Sequence, residues 1–415
     1  EYGTITDGTI TVTALQDVFG LPSTVYREPE DSAYVPPDTS VRAPELQAAM
    51  EAPYRDLVQA MSASDLAILA PDAGYLHAAA VRPTTLSQSF ALQTRVAPAA
   101  YATAADMAAF CPGGKLSAAL DYLDTAAVLT DAQALDELQP GTAALIGSEI
   151  VRVDAVDVAT STLTIARGCA DTVPAQHAAG TAVLCYDGWG GDDQTEYMSG
   201  VSVEAKLLTN TGAGQLSASV APVQSVTFDS RAARPYPPGD VKLNGQRYPQ
   251  EITGDLEITW AHRDRLLQAD NLIDALQPSV GPEPGTTYAV ELYDAASSTL
   301  LHSETGISTT TAVVPSTAFA YDNRLELYSV RDGLESLQRQ VRRFSWGDAP
   351  TDPYWDKVLS LLHFDGDLTD ETGRVWSQSG SPIIGGVGRF GGCITFSRSS
   401  SERVSSTHPA FGTDN

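Results

Sequence analysis

The stretch "GSEIVRVDAVDVATSTLTIARGCADTVPAQHAAGTAVLCYD", residues 147–187, carries the reading of the fold. Apolar and polar residues alternate through EIVRV, again through TLTI, and again through AVLC. Alternation with a period of two places successive side chains on opposite faces of a strand. The segments RG, DTVP and HAAG break the pattern with turn formers. Short strands closed by frequent turns predict a compact all-β unit, taken to run over residues 113–190.

The same rhythm extends outward. Strands with Ile5, Ile10, Val12 and Leu15 lead into a Pro-rich connector across residues 1–44. One block, "APELQAAMEAPYRDLVQAMSASDLAILAP" (43–71), has helical spacing at Leu46, Met50, Leu57 and Met61. Pro53 breaks or restarts the helix, and "SASD" marks a second helix start. With the strands that follow it, this makes an α+β segment over 45–112. Residues 191–230 return to strands. Seven alternating segments over 231–347 predict a β-sandwich with Leu256, Ile258 and Trp260 facing inward. Residues 348–357 form a linker. "VLSLLHFDGDLTDETGRVW" (358–376) and "GRFGGCITFSRSSSERVSS" (388–406) open a further β unit over 358–415.

A chain of 415 residues with 43% apolar content can bury several cores. It carries 25 basic against 52 acidic residues, a formal charge of −27. That balance excludes a nucleic-acid footprint. No apolar run of about 18 residues is present, so no stable membrane insertion is expected. Only Lys115, Lys206, Lys242 and Lys357 are lysines, which points to a GC-rich bacterial or viral coding sequence. Cys111, Cys169, Cys185 and Cys393 share no metal-ligand spacing and are expected as reduced thiols. The chain begins at Glu1, and the 358–415 unit falls short of the roughly 100 residues of a sandwich. Both ends are therefore expected to be cut from a longer protein.

Signatures of catalysis are missing: no G-x-S-x-G, H-E-x-x-H or P-loop occurs. No catalytic, cofactor-binding or metal residue is assigned. His177, in a turn, is expected to be a hydrogen-bonded structural histidine, and His363 a strand residue. "GVGRFG" (386–391) matches a dinucleotide pattern, but a β-branched strand follows where a helix is required. The acidic loops 187–196 and 365–371 offer oxygens for Ca²⁺, although Asp is first a turn former and neither loop has EF-hand spacing.

Residues 146–187 resemble a small β-domain recurrent in tailed-phage proteins: an acidic EIVRV strand, an apolar TLTI strand, RG, a Thr, then HAAG before a last strand. "VFGLPSTVY", "EAPYRDLV", "EAKLLTNTGAGQL", "RAARPYPPGDVKLNG" and "GDLEITWAHRDRLLQ" resemble neighbouring parts of tail-tip or baseplate-hub proteins of the gene-transfer-agent host-specificity class. They are more distantly similar to the lambdoid tip-attachment protein. Residues 231–347 are similar to fibronectin type III, with Trp260 at the usual core place. The connection after that strand is longer than usual, and Leu325 stands where a corner Tyr is usual. Residues 358–406 resemble the start of a laminin-G or concanavalin-A-like jelly roll.

The resemblance implies a mainly β, multidomain protein with no enzymatic activity. Hub segments with a short helical block would carry a small inserted β-domain, a fibronectin type III-like sandwich and the start of a jelly roll. It implies a structural virion protein, a homotrimer closing the tail tube at the tail tip and assembled in the bacterial host cytoplasm. Partners would be other tail proteins, fibres, and a bacterial surface receptor or glycan. Strands of 1–44 and 194–230 are expected to pair with chain outside this sequence or with neighbouring subunits. The alternative is a secreted bacterial adhesin or glycan-binding protein built from the same modules.

Overall fold

The computed structural model describes residues 4–6, 9–11, 40–347, 362, 368, 376–380, 382–388, 391–395 and 403–406. The protein is mainly β and multidomain. Three β modules lie between residues 40 and 347.

The first module, a platform, is two sheets face to face. Gly191–Met198, Ala73–Ala80 and Gln47–Glu51 form one; Gly214–Gln215, Ser202–Thr211, Ser87–Arg95 and Ala102–Ala108 form the other, with Gln224–Thr227 beside Ser202–Thr211. Leu76, Ala78 and Ala80 of the first sheet pack on Phe90, Leu92, Val203 and Leu207 of the second. This corrects one expectation. Strands of 194–230 find their partners inside the chain, with Glu204–Thr211 running antiparallel to Ser87–Arg95. Thr4–Thr6 likewise pairs with Thr9–Thr11; the rest of 1–39 lies outside the described residues.

The helical reading of 43–71 holds only for its second half. Gln47–Glu51 is a strand, paired from Gln47↔Ala80 to Glu51↔Leu76. Leu46 and Met50 are four residues apart, a spacing common to periods of 2 and 3.6, so the pair cannot separate the two. Helices follow at Tyr54–Ala60, where Pro53 is the N-cap, and at Ala63–Ile68, where the Ser62 hydroxyl accepts from the Asp65 N–H.

The second module is a closed six-stranded antiparallel barrel between Gly113 and Leu184. Its order is Glu149–Asp157, Thr162–Ala166, Ala126–Gln133, Gly113–Leu116, Ala182–Leu184, Ala143–Ile146. Closure leaves no free sheet edge. Val151, Val153, Leu163 and Ile165 point inward. The intervening Ile150, Ala166, Leu145 and Leu184 point outward and are also buried, against Ala79, Val81 and Met50 of the platform and Tyr236 and Leu272 beyond it. The barrel is inserted at a neck: Ala109 and Gly190 form an antiparallel bridge, with the Gly190 N–H 3.0 Å from the Ala109 carbonyl.

The third module is a sandwich. Gly239–Leu243, Leu256–Ala261 and Thr311–Val314 form one sheet; Glu251–Ile252, Gln340–Trp346, Asp322–Arg331, Thr287–Asp294 and Leu300–Ile307 form the other. Leu256, Ile258 and Trp260 are buried while Glu257 is exposed. Trp260 meets Tyr288 of the facing sheet edge-on at 5.3 Å.

The long connection 262–286 has no helix or strand, yet it is anchored. The Arg263 guanidinium donates to the carbonyls of His262, Asp274, Ala275, Gln277 and Pro278. It lies so close to Gly239 that a Cβ there would stand 2.1 Å from Nη2, so only glycine fits. Leu272 is buried among the barrel's outward-facing residues, and the Ala275 N–H reaches the Arg167 carbonyl at 2.9 Å. Limited trypsin digestion checks this anchoring. The native chain should resist cutting after Arg263 and Arg265, and Leu272→Asp, which puts a charge into an apolar seam, should make those bonds the first cleaved.

Candidate functional site

The residues of 147–187 that interrupt its alternation converge on one carboxylate. Glu149 starts a barrel strand and is fully buried. Arg167 follows the next strand and donates Nε and Nη2 to Glu149 Oε1 and Oε2, each at 2.9 Å. His177 Nε2 stands 2.7 Å from Oε2. The N–H groups of Gly168 and Ala175 complete the set at 2.8 and 3.0 Å. Arg167 turns its remaining donors to the carbonyls of Asp121, Asp124 and Ala175. Burial alone pushes the Glu149 carboxyl up, but the His177 and Arg167 hydrogen bonds outweigh it and hold the group below its ordinary value. Every Arg167 donor is spent within the cluster, which locks the turns together.

A second polar cluster lies where the three modules meet. Arg231, in the strap from platform to sandwich, donates Nε and Nη2 to Asp171 of the barrel at 2.6 and 2.9 Å, and Nη1 to the Glu51 carbonyl of the platform at 2.7 Å. The Glu51 carboxylate accepts the N–H groups of Asp229 and Arg231. That holds the bend at Ser230, whose φ is +56°. Arg55, from the first helix, forms a two-pronged pair with Asp187 of the barrel exit at 3.0 and 2.6 Å. Four atoms at this junction have no partner among the described residues: Asp56 Oδ2, His77 Nε2, Tyr186 Oη and Tyr236 Oη. Burial pushes the Asp56 carboxyl up against the opposing pull of Arg55, and pushes both tyrosines well up.

Next to the junction a cavity of about 620 Å³ opens between the two helices and strand Gly191–Met198. Leu57, Met61 and Leu69 supply an apolar floor. Asp56, Asp65, Asp192, Asp193 and Glu196 supply carboxylates. Asp193 is sequestered by Thr94 Oγ1 at 2.5 Å and Tyr197 Oη at 2.7 Å; burial raises its carboxyl, but these bonds prevail and hold it below the usual range. Asp192 pairs with His77 Nδ1 at 2.7 Å. On the far side of helix Ala63–Ile68 lies a larger, mainly apolar cavity of about 710 Å³ lined by Leu66, Ala70, Leu266 and Leu334.

The acidic loop 187–196 is thus dispersed. Asp187 turns to Arg55, Asp192 to His77 and Asp193 into the platform core. No group of three or more metal-ligating side chains occurs among the described residues. The loop 365–371, apart from Leu368, and His363 lie outside them. "GVGRFG" begins within strand Ile383–Gly388 and ends at the first residue of strand Gly391–Thr395, which pair antiparallel; a strand stands where a dinucleotide loop needs a helix. Cys111, Cys169 and Cys185 are free and buried, and burial pushes the Cys111 thiol up to about 12. The sequence reading passed over Glu149, Arg167, Arg55 and Arg231. A charged residue within an apolar strand and an Arg-Gly immediately after one were the available signals for the first pair; the second pair bridges segments far apart in sequence and left no local trace.

No family model and no curated protein matches this chain. Among solved structures it is similar to one described as "Biofilm associated protein - BSP domain", with 10% identity and a TM-score of 0.16. The likeness covers 58% of this chain and 30% of that one. A score of that size decides nothing about fold or function.

Two substitutions separate the clusters. Glu149→Gln leaves Arg167 buried without a counter-charge and should cost about 3–5 kcal/mol in chemical denaturation at pH 7. Because the folded carboxyl titrates below its ordinary value, its contribution is full above about pH 4.5 and is lost as the pH falls further. The deficit of the variant should therefore shrink in acid. Asp56 is shifted the other way, so Asp56→Asn removes a buried charge and should raise the melting temperature at pH 7, with no gain below about pH 4.

Proposed function

We propose that this protein is a noncatalytic structural component of a phage tail tip, a hub segment that holds distal modules at a fixed geometry for fibre attachment or host-surface contact. The observation that carries the reading is the buried junction at Arg231, which ties barrel to platform from the strap that leads into the sandwich, while Gln338 of the sandwich bonds the barrel backbone at Val173 and Ser148. A protein that transmits contact from a surface to a tube needs modules that do not swing; a flexible chain of binding domains does not. The hub-like stretches of 204–216, 231–245 and 254–268 support the same reading, since they form the central platform strand, the strap and the anchored connection. The homotrimer and the virion tail location belong to this proposal. Its oligomer would use surface outside the platform strands already paired within the chain.

Electron microscopy of purified particles with the protein carrying a gold-binding tag tests the reading. Label confined to the tail end is expected. Label distributed over the bacterial cell surface in the absence of particles would overturn it in favour of an adhesin.

A further inference from the structure

The acidic cavity beside helix Ala63–Ile68 has features that neither the junction nor the fold requires. The helix carries the apolar sequence Leu66, Ala67, Ile68, yet none of its six residues is buried, and Ile68 is 83% exposed. Isolated exposed apolar residues are ordinary on a surface; an apolar helix raised between two cavities is not. The cavity has an apolar floor at Leu57, Met61 and Leu69 under a rim that includes Asp65, Asp192 and Glu196, and no Lys or Arg lines it. Within its lining, Asp56 Oδ2 and His77 Nε2 are both shut off from solvent without a partner among the described residues.

We propose that this cavity docks a segment of another protein that carries apolar side chains flanked by Lys or Arg. The apolar residues cover Met61, Ile68 and Leu69, and the cationic groups face Asp65, Asp192 and Glu196. Charge complementarity selects this occupant. A second copy of the chain, at −27, brings an acidic surface to an acidic rim, and a polyanion is repelled outright. The larger cavity across the helix differs in charge, because Arg265 and Arg331 line it, both ion-paired with buried Glu283. The inference does not depend on the tail-tip reading, and its test uses purified components.

The probe is a fluorescent amphipathic Leu/Lys peptide of about fifteen residues, titrated onto the full chain by anisotropy beside the same peptide with Glu for Lys. Saturable binding of the Lys peptide and none of the Glu peptide is expected. Asp65→Lys combined with Glu196→Lys should weaken binding at least about tenfold, or about 1.4 kcal/mol, and Ile68→Asp should do so alone. The matched pair Glu257→Lys with Glu304→Lys, both exposed on the sandwich, should change it less than about twofold at equal ionic strength. Equal loss with the control pair would show general surface attraction and overturn the proposal. So would binding of the Glu peptide, or a self-associated chain in light scattering that Ile68→Asp returns to monomer.

Discussion

Barrel and platform meet at the Arg231 guanidinium, in the strap that leads into the sandwich, and their arrangement depends on it. Its Nε and Nη2 hold Asp171 of the barrel, and its Nη1 holds the backbone of platform strand Gln47–Glu51. Its own backbone N–H is held by the Glu51 carboxylate, and its chain position leads into the sandwich. A planar fork of donors suits this task, whereas a lysine would offer one point charge to partners lying in different directions. Buried ion pairs add little net stability compared with apolar packing of the same shape, but removing one partner is expensive. Such a junction therefore acts mainly by excluding other arrangements: any displacement of barrel from platform strips a buried charge of its partner.

The same logic operates inside the barrel at smaller scale. Glu149 gathers Arg167, His177 and two backbone N–H groups from two stretches, 167–168 and 175–177. A small barrel has a limited apolar core and long, irregular connections relative to its strands. Cross-linking the connections through one carboxylate supplies order that apolar burial alone does not, since burial is non-directional. Arg263 repeats the device in the connection 262–286, where five carbonyls of otherwise irregular backbone find their donor in a single side chain.

What could be read from the residues follows from how far each signal reaches. Alternation is local, so the β character of the chain and the inward set Leu256, Ile258 and Trp260 were legible. Leu46 and Met50 were misassigned because a four-residue spacing fits a strand as well as a helix, and only pairing with Ala73–Ala80 decides between them. Closure of the barrel was not legible, since it depends on Ala182–Leu184 pairing with both Gly113–Lys115 and Leu145–Ile146. The junction was opaque for a different reason. Arg55 and Asp187 are 132 positions apart and Arg231 and Asp171 are 60 apart. An isolated charged residue looks the same in a sequence whether it ends in solvent or in a seam.

That use of arginine leaves the sign of the surface charge unchanged. Arg55, Arg167, Arg231, Arg263 and Arg342 are all buried. Two of them, Arg263 and Arg342, have only backbone carbonyls as hydrogen-bond acceptors. Burial takes carboxylates inward as well, at Glu51, Glu149, Asp171, Asp193, Asp264 and Glu283, so the solvent-facing surface keeps the acidic excess of 52 against 25. A field of that sign extends about a Debye length, roughly 8 Å at physiological salt, and repels other anionic surfaces. Association with such a surface is then governed by the few places where apolar residues break through it. Helix Ala63–Ile68 is one of these, and the carboxylates around it select the sign of what can approach.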